Sequence, residues 1–281
     1  MCRGRPVRQR FGSGDLVVSI VRRPDPLPCP ACAIGEWDMC RNGRYTERGI
    51  KQRHGYAAER FRIEPEFAVK IDRGLGLSGV LVEPTSIVVK AWDQVDYIGR
   101  RSRAFAPQRL LVTGAGPIGL LAALIGAQRG LEVHVFNRSA PSLKTELVRE
   151  LGAVYHSGDL SLIDQLDADI VMECSGAPSV MLALCGRSAP SGVVCLAGIA
   201  NDSTRRSVDP NQLTDMVLQN QVMFGAVNAN RNHYQEAAAV LERADPTWLT
   251  RLITRRVPID RWFEAFEPRP GDIKTVLDFS L

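Results

Sequence analysis

Three glycines form the clearest chemical motif in this sequence. They have the spacing G-x-G-x-x-G, and they follow an apolar run at 109–113 and precede another at 120–127. In a strand–turn–helix unit the first glycine permits a tight turn, the second admits a pyrophosphate and the third lets helix and strand pack closely. Backbone N–H groups at the start of the helix then bind phosphate oxygens. We therefore predict a dinucleotide site rather than a plain glycine-rich turn, with contacts from Gly114, Gly116, Pro117, Ile118 and Gly119.

The end of the next predicted strand indicates which dinucleotide binds. The stretch 131–136 runs into Asn137 and Arg138. An NAD site usually carries an Asp or Glu about 20 residues after the glycines, where it binds the ribose 2′-hydroxyl. No carboxylate stands there, and Arg138 could pair with a 2′-phosphate; the alternative is a solvated loop cation. We predict contacts from Asn137 and Arg138 and a preference for NADP over NAD.

Cysteines near the N-terminus have a spacing that suits a metal. Cys29, Cys32 and Cys40 give the pattern C-x2-C-x7-C. Structural zinc takes four tetrahedral ligands, so a fourth must come from elsewhere, and Asp25 is a candidate. Two alternatives stay open: unmetallated thiols in a loop, or a redox pair, although no thioredoxin-like context surrounds it.

The composition is that of an ordinary globular protein with room for two domains. The chain has 281 residues, of which 45% are hydrophobic and 23% charged, and a net charge of +4. This mild charge does not require a nucleic-acid partner. We find neither an apolar run near the ~18 residues of a membrane span nor a secretory signal. Seven cysteines in such a chain favour reduced thiols or metal ligands, so we expect a cytoplasmic protein.

Strand and helix patterns alternate from about residue 105 onward. This rhythm is typical of an α/β fold, a doubly wound parallel sheet whose ligand lies at the carboxyl ends of the strands. The predicted strands are 110–113, 133–136, 170–173, 193–198 and 222–227, with helices at 119–129, 142–151, 177–184 and 211–218. Outside this region we predict strands at 14–21, 55–63, 67–71, 251–257 and 274–279, and helices at 79–95 and 233–243.

Several motifs together resemble the medium-chain zinc-dependent dehydrogenases. They are Gly-Asp-Leu-Val-Val at 14–18, the cysteine loop, Gly-Ala-Gly-Pro-Ile-Gly at 114–119 and the ending at 273–279. Segments at 47–50 with His54, at 82–87, and at 225–228 followed by His233 and Tyr234 are similar to the glucose 1-dehydrogenase branch. The resemblance implies a Rossmann-type domain at 83–229 and a partial GroES-like β-barrel catalytic domain at 1–82, to which 230–281 returns.

The resemblance also implies a reaction. In this family a catalytic zinc polarises the C1 hydroxyl of an aldose, D-glucose above all, and hydride passes to the nicotinamide to give a lactone. Glu83 matches a carboxylate ligand near that zinc, Glu47 a residue near the sugar, and Asn228 one near the nicotinamide or sugar. Taken alone, Glu83 could be a helix N-terminal carboxylate, Glu47 the partner of Arg48 in an exposed ion pair, and Asn228 a turn residue.

Two departures from the family pattern limit what it implies. The family's cysteine lobe reads C-x2-C-x2-C-x7-C, and Pro26 stands where its first cysteine would fall. The segment that supplies the main zinc ligands precedes the Gly-Asp-Leu-Val-Val stretch, and nothing in residues 1–13 matches it. We therefore expect a chain shortened at its N-terminus, with exposed strand edges that favour self-association. The alternatives are a catalytically incomplete nucleotide-binding fragment and a zinc-independent reductase of the same superfamily.

Overall fold

The N-terminal region is built from short strands around a cysteine loop. The computed structural model describes residues 10–138, 142–163, 166–200 and 207–281. The elements of this region are β1 (Val17–Ser19), β2 (Arg22–Arg23), α1 (Pro30–Ala33), β3 (Thr46–Arg48), β4 (Gln52–Arg53) and β5 (Ala68–Lys70). Strands β1 and β5 pair antiparallel, and β2, β3 and β4 form a second small sheet.

The predicted strand at 55–63 is wrong, because this segment has no regular structure. Most of its side chains are exposed, so no buried face requires a ladder partner. Tyr56 holds it instead: its hydroxyl donates to the carbonyl of Ile20 at 3.0 Å and accepts from Arg23 at 2.9 Å. The strand predicted at 14–21 is likewise shorter, since only β1 is regular there.

A long helix, α2 (Val82–Gly99), connects this region to the main sheet. A 3₁₀ segment, Arg73–Leu81, precedes it, so the α-helix begins three residues later than predicted. Among the described residues, 73–99 is the one helical stretch long and apolar enough to cross a membrane, yet 56% of its apolar window is buried inside the protein. Trp92 and Val95 of α2 belong to the main core, as expected of a core helix.

The central sheet is parallel and has six strands in the order β11-β10-β9-β6-β7-β8. Its strands are β6 (Arg109–Thr113), β7 (Glu132–Phe136), β8 (Val154–His156), β9 (Ile170–Glu173), β10 (Val193–Leu196) and β11 (Val222–Gly225). The connecting helices are α3 (Pro117–Gln128), α4 (Leu143–Glu150), α5 (Pro178–Ala183) and α6 (Pro210–Leu218). The predicted doubly wound architecture is confirmed, with its switch point between β6 and β9. Of the six strands of this sheet, only the short, half-exposed β8 was not predicted; β2, β3 and β4 of the N-terminal region were not predicted either.

Alternate residues of the strands belong to separate cores. Leu110 and Val112 pack into the larger cluster, whereas Leu111, between them, belongs to a second cluster with Val171 and Val194. This alternation follows from the two-residue period of a strand. Since both faces are apolar, helices must cover both, as the doubly wound fold requires.

The C-terminal region packs against α2 and ends in a small parallel sheet. Its elements are α7 (Arg231–Glu242), α8 (Pro246–Leu252), β12 (Ile253–Pro258), the 3₁₀ segment Ile259–Phe266 and β13 (Lys274–Asp278). The sequence patterns do not predict α8 or the 3₁₀ segment. Asn230 caps α7 by accepting from the backbone N–H groups of residues 232 and 233. The 3₁₀ segment exposes the side chains of Trp262, Phe263 and Phe266.

Candidate functional site

The glycine turn lies between β6 and α3, at the carboxyl end of the sheet. Gly114 has φ +94°, and a Cβ there would lie 2.9 Å from the Ser175 backbone. A Cβ on Gly119 would lie 1.8 Å from the carbonyl oxygen of Gly114, so helix and strand touch at this point. Gly116 has no protein atom within 4 Å of that position. The space beside Gly116 is therefore open to a ligand, as a pyrophosphate requires.

A cavity of about 220 Å³ opens directly beside this turn. Its walls include Gly114, Gly116, Asn137, Arg138 and Ser175. The Asn137 amide donates to the hydroxyl of Tyr155 at 3.2 Å, which orients it at the end of β7. The structure thus brings both predicted specificity residues to the same cavity as the glycines.

Glu173 braces the turn and was not singled out as a site residue. It ends β9 and is fully buried. Its Oε1 accepts from the backbone N–H groups of Ser175 at 2.7 Å and Gly176 at 3.1 Å, and from the Thr113 hydroxyl at 3.4 Å. A carboxylate at the end of an apolar strand was the available sequence signal, and the structure gives it a supporting role.

The three N-terminal cysteines converge. The sulfur atoms of Cys29, Cys32 and Cys40 lie within 4.8 Å of one another. Tetrahedral zinc with Zn–S bonds of about 2.3 Å sets its sulfurs roughly 3.8 Å apart, so these thiols fit three of its four ligands. Asp25 does not belong to this cysteine cluster. Its carboxylate instead accepts a hydrogen bond from the Leu27 N–H at 2.8 Å and pairs with Arg44 at 3.2 Å.

The thiols of this cluster differ electrostatically. Backbone N–H groups of Arg41 and Cys32 point at Cys29 and hold the pKa of its thiol down to about 6. Burial raises the pKa of Cys32 to about 11. Cys29 is therefore predisposed to be a thiolate, the form that binds metal.

Glu47 and Asn228 meet, although 181 residues separate them in the chain. Glu47 lies on β3 and is buried, and its Oε1 accepts from Arg22 Nε at 3.1 Å and from the Asn228 side-chain amide. The exposed pair with Arg48 considered from the sequence is therefore wrong. Asn228 follows β11 and has φ +64°, a left-handed conformation that asparagine tolerates. Arg22 was missed, although a cation directly after an apolar strand was a usable signal.

Glu83 lies in the first turn of α2. Burial raises the pKa of its carboxyl group, while the charge of Lys274 on β13 opposes this shift. Buried Tyr234 is close enough for the Glu83 charge to raise its pKa further, and its hydroxyl accepts from the Val21 N–H at 3.4 Å. Within the described residues, the cysteine cluster is the only group of three potential metal ligands, so Glu83 stands without two companions.

Comparisons with known proteins agree with this architecture. The family model described as "Glucose dehydrogenase C-terminus" matches residues 76–279. Glucose 1-dehydrogenase of Methanocella arvoryzae is 37% identical over 98% of this chain and 79% of its own length. Glucose 1-dehydrogenase 1 of Caldivirga maquilingensis is 38% identical over 95% of this chain and 76% of its own.

A solved structure shows the same fold. Haloferax mediterranei glucose dehydrogenase in complex with NADP, Zn and gluconolactone superposes with a TM-score of 0.88 at 28% identity, over 98% of this chain and 80% of that one. The relatives and this structure confirm the resemblance in the motifs. The chain belongs to the glucose dehydrogenase branch of the medium-chain zinc-dependent dehydrogenases, a family of NAD(P)-dependent oxidoreductases.

Proposed function

We propose that this protein oxidises an aldose, D-glucose first among candidates, at C1 to the lactone with NADP as the oxidant. The observation that carries this proposal is the contact of the half-buried Asn228 with the buried Glu47 carboxylate, just after the carboxyl end of strand β11. The related Haloferax structure contains NADP and gluconolactone, the product that such an oxidation gives. In the reaction C1 loses hydride to the nicotinamide and its hydroxyl loses a proton, so that the C1–O bond becomes the lactone carbonyl.

The nucleotide is held by the glycine turn and by Arg138. The open space at Gly116 would hold the pyrophosphate, with Pro117 and Ile118 at the start of the helix. Arg138 lines the same cavity and carries the charge that favours a 2′-phosphate. This arrangement favours NADP, with NAD as the weaker alternative.

The sugar is recognised by Glu47 and Asn228. Glu47 Oε1 accepts hydrogen bonds from Arg22 and Asn228, which leaves Oε2 to accept one from a substrate hydroxyl. Arg22 neutralises the buried carboxylate and fixes its orientation, because the pair is almost fully enclosed. A site that hydrogen-bonds substrate hydroxyls in this way rejects analogues that lack them.

Zinc has two proposed roles in this chain. Cys29, Cys32 and Cys40 would hold a structural ion, whose chemistry is to fix the loop. Glu83 is our candidate ligand for a catalytic ion, which needs about three protein ligands. The described residues around Glu83 do not supply this set, so we assign no reaction step to a catalytic metal.

We also propose a cytoplasmic enzyme that acts as a homo-oligomer on a small sugar. Strand β11 is an edge of the main sheet, and the neighbouring helix α6 exposes Leu213, Val217 and Leu218. An apolar helix face next to an unpaired strand edge favours association of copies.

The test is reduction of NADP by D-glucose at saturating nucleotide, with zinc supplied. We expect turnover by the wild type, loss of sugar affinity in Glu47→Gln, and no change in Glu64→Gln. Glu64 is a suitable control because it lies in the same region and pairs with Arg23 through a half-exposed carboxylate.

Each negative result has a distinct meaning. If folded protein binds NADP but does not turn over, the result would favour the nucleotide-binding fragment. The absence of two further metal ligands beside Glu83 in the described residues agrees with that alternative. Turnover of short alcohols but no aldose would refute the sugar assignment. Unchanged turnover in a chelator would favour the zinc-independent reductase.

A further inference from the structure

A buried ion pair lies behind the contact between Glu47 and Asn228. Lys90 Nζ on α2 is 3.1 Å from Asp38 Oδ2 in the cysteine loop, and the side chains are 4% and 2% exposed. A buried ion pair is often no more stabilising than apolar residues of the same volume. Stability alone therefore does not account for an ion pair at this place.

The pair holds the turn that carries Asn228 from both sides. Lys90 Nζ donates to the carbonyl of Val227 at 2.8 Å, and Asp38 Oδ1 accepts from the Asn230 side-chain amide at 3.0 Å. Both bonds therefore end on residues close to Asn228 in the chain. Asn228 itself is in the left-handed region, which persists only where the surroundings fix it.

The same aspartate also supports Glu47. The backbone carbonyl of Asp38 accepts from Arg22 Nη1 at 3.1 Å, and Arg22 Nε binds Glu47 Oε1 at 3.1 Å. One residue of the cysteine loop thus anchors Asn228 through its side chain and Glu47 through its backbone. Glu83 and Lys90 are seven residues apart on α2 and so lie on one face of the helix, about 10 Å apart along its axis.

We propose that Lys90 and Asp38 are positioning residues that set the distance between the Glu47 carboxylate and the Asn228 amide, and hence the affinity for the sugar. This inference rests on the proposed sugar site, although the geometry it describes exists without substrate. Neither Lys90 nor Asp38 hydrogen-bonds to the glycine turn or to Arg138 in the described structure, so the proposed contacts to the pyrophosphate and the 2′-phosphate do not depend on the pair.

The experiment uses the double variant Lys90→Met/Asp38→Asn. It removes both charges together, since a single substitution would leave a buried charge unpaired. The introduced asparagine side chain retains an acceptor oxygen for Asn230, whereas the bond to the Val227 carbonyl is lost. The control is Asp96→Asn/Arg129→Met, which removes a half-exposed ion pair of 2.9 Å between α2 and the end of α3.

The expected result is a rise of about tenfold in the sugar KM, the effect of one misplaced hydrogen bond, with the NADP dissociation constant unchanged. The control should leave both constants unchanged. An unchanged sugar KM in the folded double variant would overturn the proposal, because a purely structural pair would lower Tm alone. If the double variant does not fold, Lys90→Met alone takes its place, because it breaks the bond to the Val227 carbonyl while Asp38 keeps its bond from Asn230. The expected rise in the sugar KM and the refuting result are the same.

A second measurement separates this proposal from the proposed function. The side-chain amide of Asn228 gives a ¹⁵N–¹H NMR signal that depends on its hydrogen bond to Glu47. We expect this signal to shift in the Lys90→Met/Asp38→Asn variant and not in the control. If no aldose is oxidised, the proposed function fails. A shift of the Asn228 signal would still support the positioning role of Lys90 and Asp38, and an unchanged signal would refute that role.

Discussion

Gly116 and Gly119 are three residues apart, but the structure predicts opposite consequences for replacing each by alanine. A methyl group on Gly119 would lie 1.8 Å from the Gly114 carbonyl oxygen, whereas one on Gly116 would meet no protein atom within 4 Å. Gly119→Ala should therefore disturb the fold, and Gly116→Ala should disturb only the bound nucleotide.

The magnitudes follow from the local geometry. Gly116 has φ −81° and ψ −175°, which alanine adopts without strain. Alanine reduces the conformational entropy of the unfolded chain, which stabilises the fold and roughly offsets the weaker helix cap, so the free energy of unfolding should change by less than about 1 kcal/mol. At Gly119 the opposing atom is backbone and cannot rotate away, so the cost should reach about 3 kcal/mol, at the upper end of overpacking. This corresponds to roughly 6–12 °C in Tm.

Thermal unfolding and an NADP fluorescence titration test both variants. Gly116→Ala should keep the wild-type Tm while its NADP dissociation constant rises at least about tenfold, because the methyl group occupies the pyrophosphate position. Gly119→Ala should lose stability and nucleotide binding together. Wild-type nucleotide affinity in Gly116→Ala would refute the placement of the pyrophosphate, and a wild-type Tm in Gly119→Ala would refute the packing argument.

Three further predictions concern charge and metal. Arg138→Gln should weaken NADP binding by about tenfold or more and leave NAD binding unchanged, as nucleotide titrations will show; equal losses for both would contradict a 2′-phosphate contact. Cys32→Ser should lose one zinc ion per chain in metal analysis, and undiminished zinc would exclude the cysteine cluster as its site. Burial lowers the pKa of His233, and the charge of Lys90 lowers it further, whereas the charges of Asp38 and Asp93 oppose this shift. As the pH falls, the unfolded chain therefore binds a proton at His233 before the folded chain does, so the free energy of unfolding should fall below about pH 6.5. In urea unfolding at several pH values, His233→Asn should show a weaker dependence of the free energy of unfolding on pH.

Local patterns predicted every strand of the central sheet except β8, because each of these strands and the helices between them has a distinct apolar pattern in the sequence. The strand at β6 is a continuous apolar run, the glycines mark its turn, and α3 is apolar on nearly all sides. Such patterns depend on neighbours within about ten residues. The prediction for 55–63 was wrong because the conformation of this segment depends on contacts far away in the chain. The Tyr56 hydroxyl binds Ile20 and Arg23, and such a long-range side-chain contact produces no periodic pattern in the sequence.

The candidate site follows the same physical division. The glycines and cysteines act through spacing within one loop, so their convergence could be predicted from the sequence. Glu47 was assigned by resemblance alone, and the nature of its partner was missed because Arg22 and Asn228 reach it from 25 and 181 residues away. A buried carboxylate must be matched by a donor or a cation, so the burial of Glu47 makes such a partner necessary. Sequence can indicate that a charge needs a partner, but only the packed chain shows that Asp38 in the cysteine loop binds both Arg22, the partner of Glu47, and Asn230, two residues after Asn228.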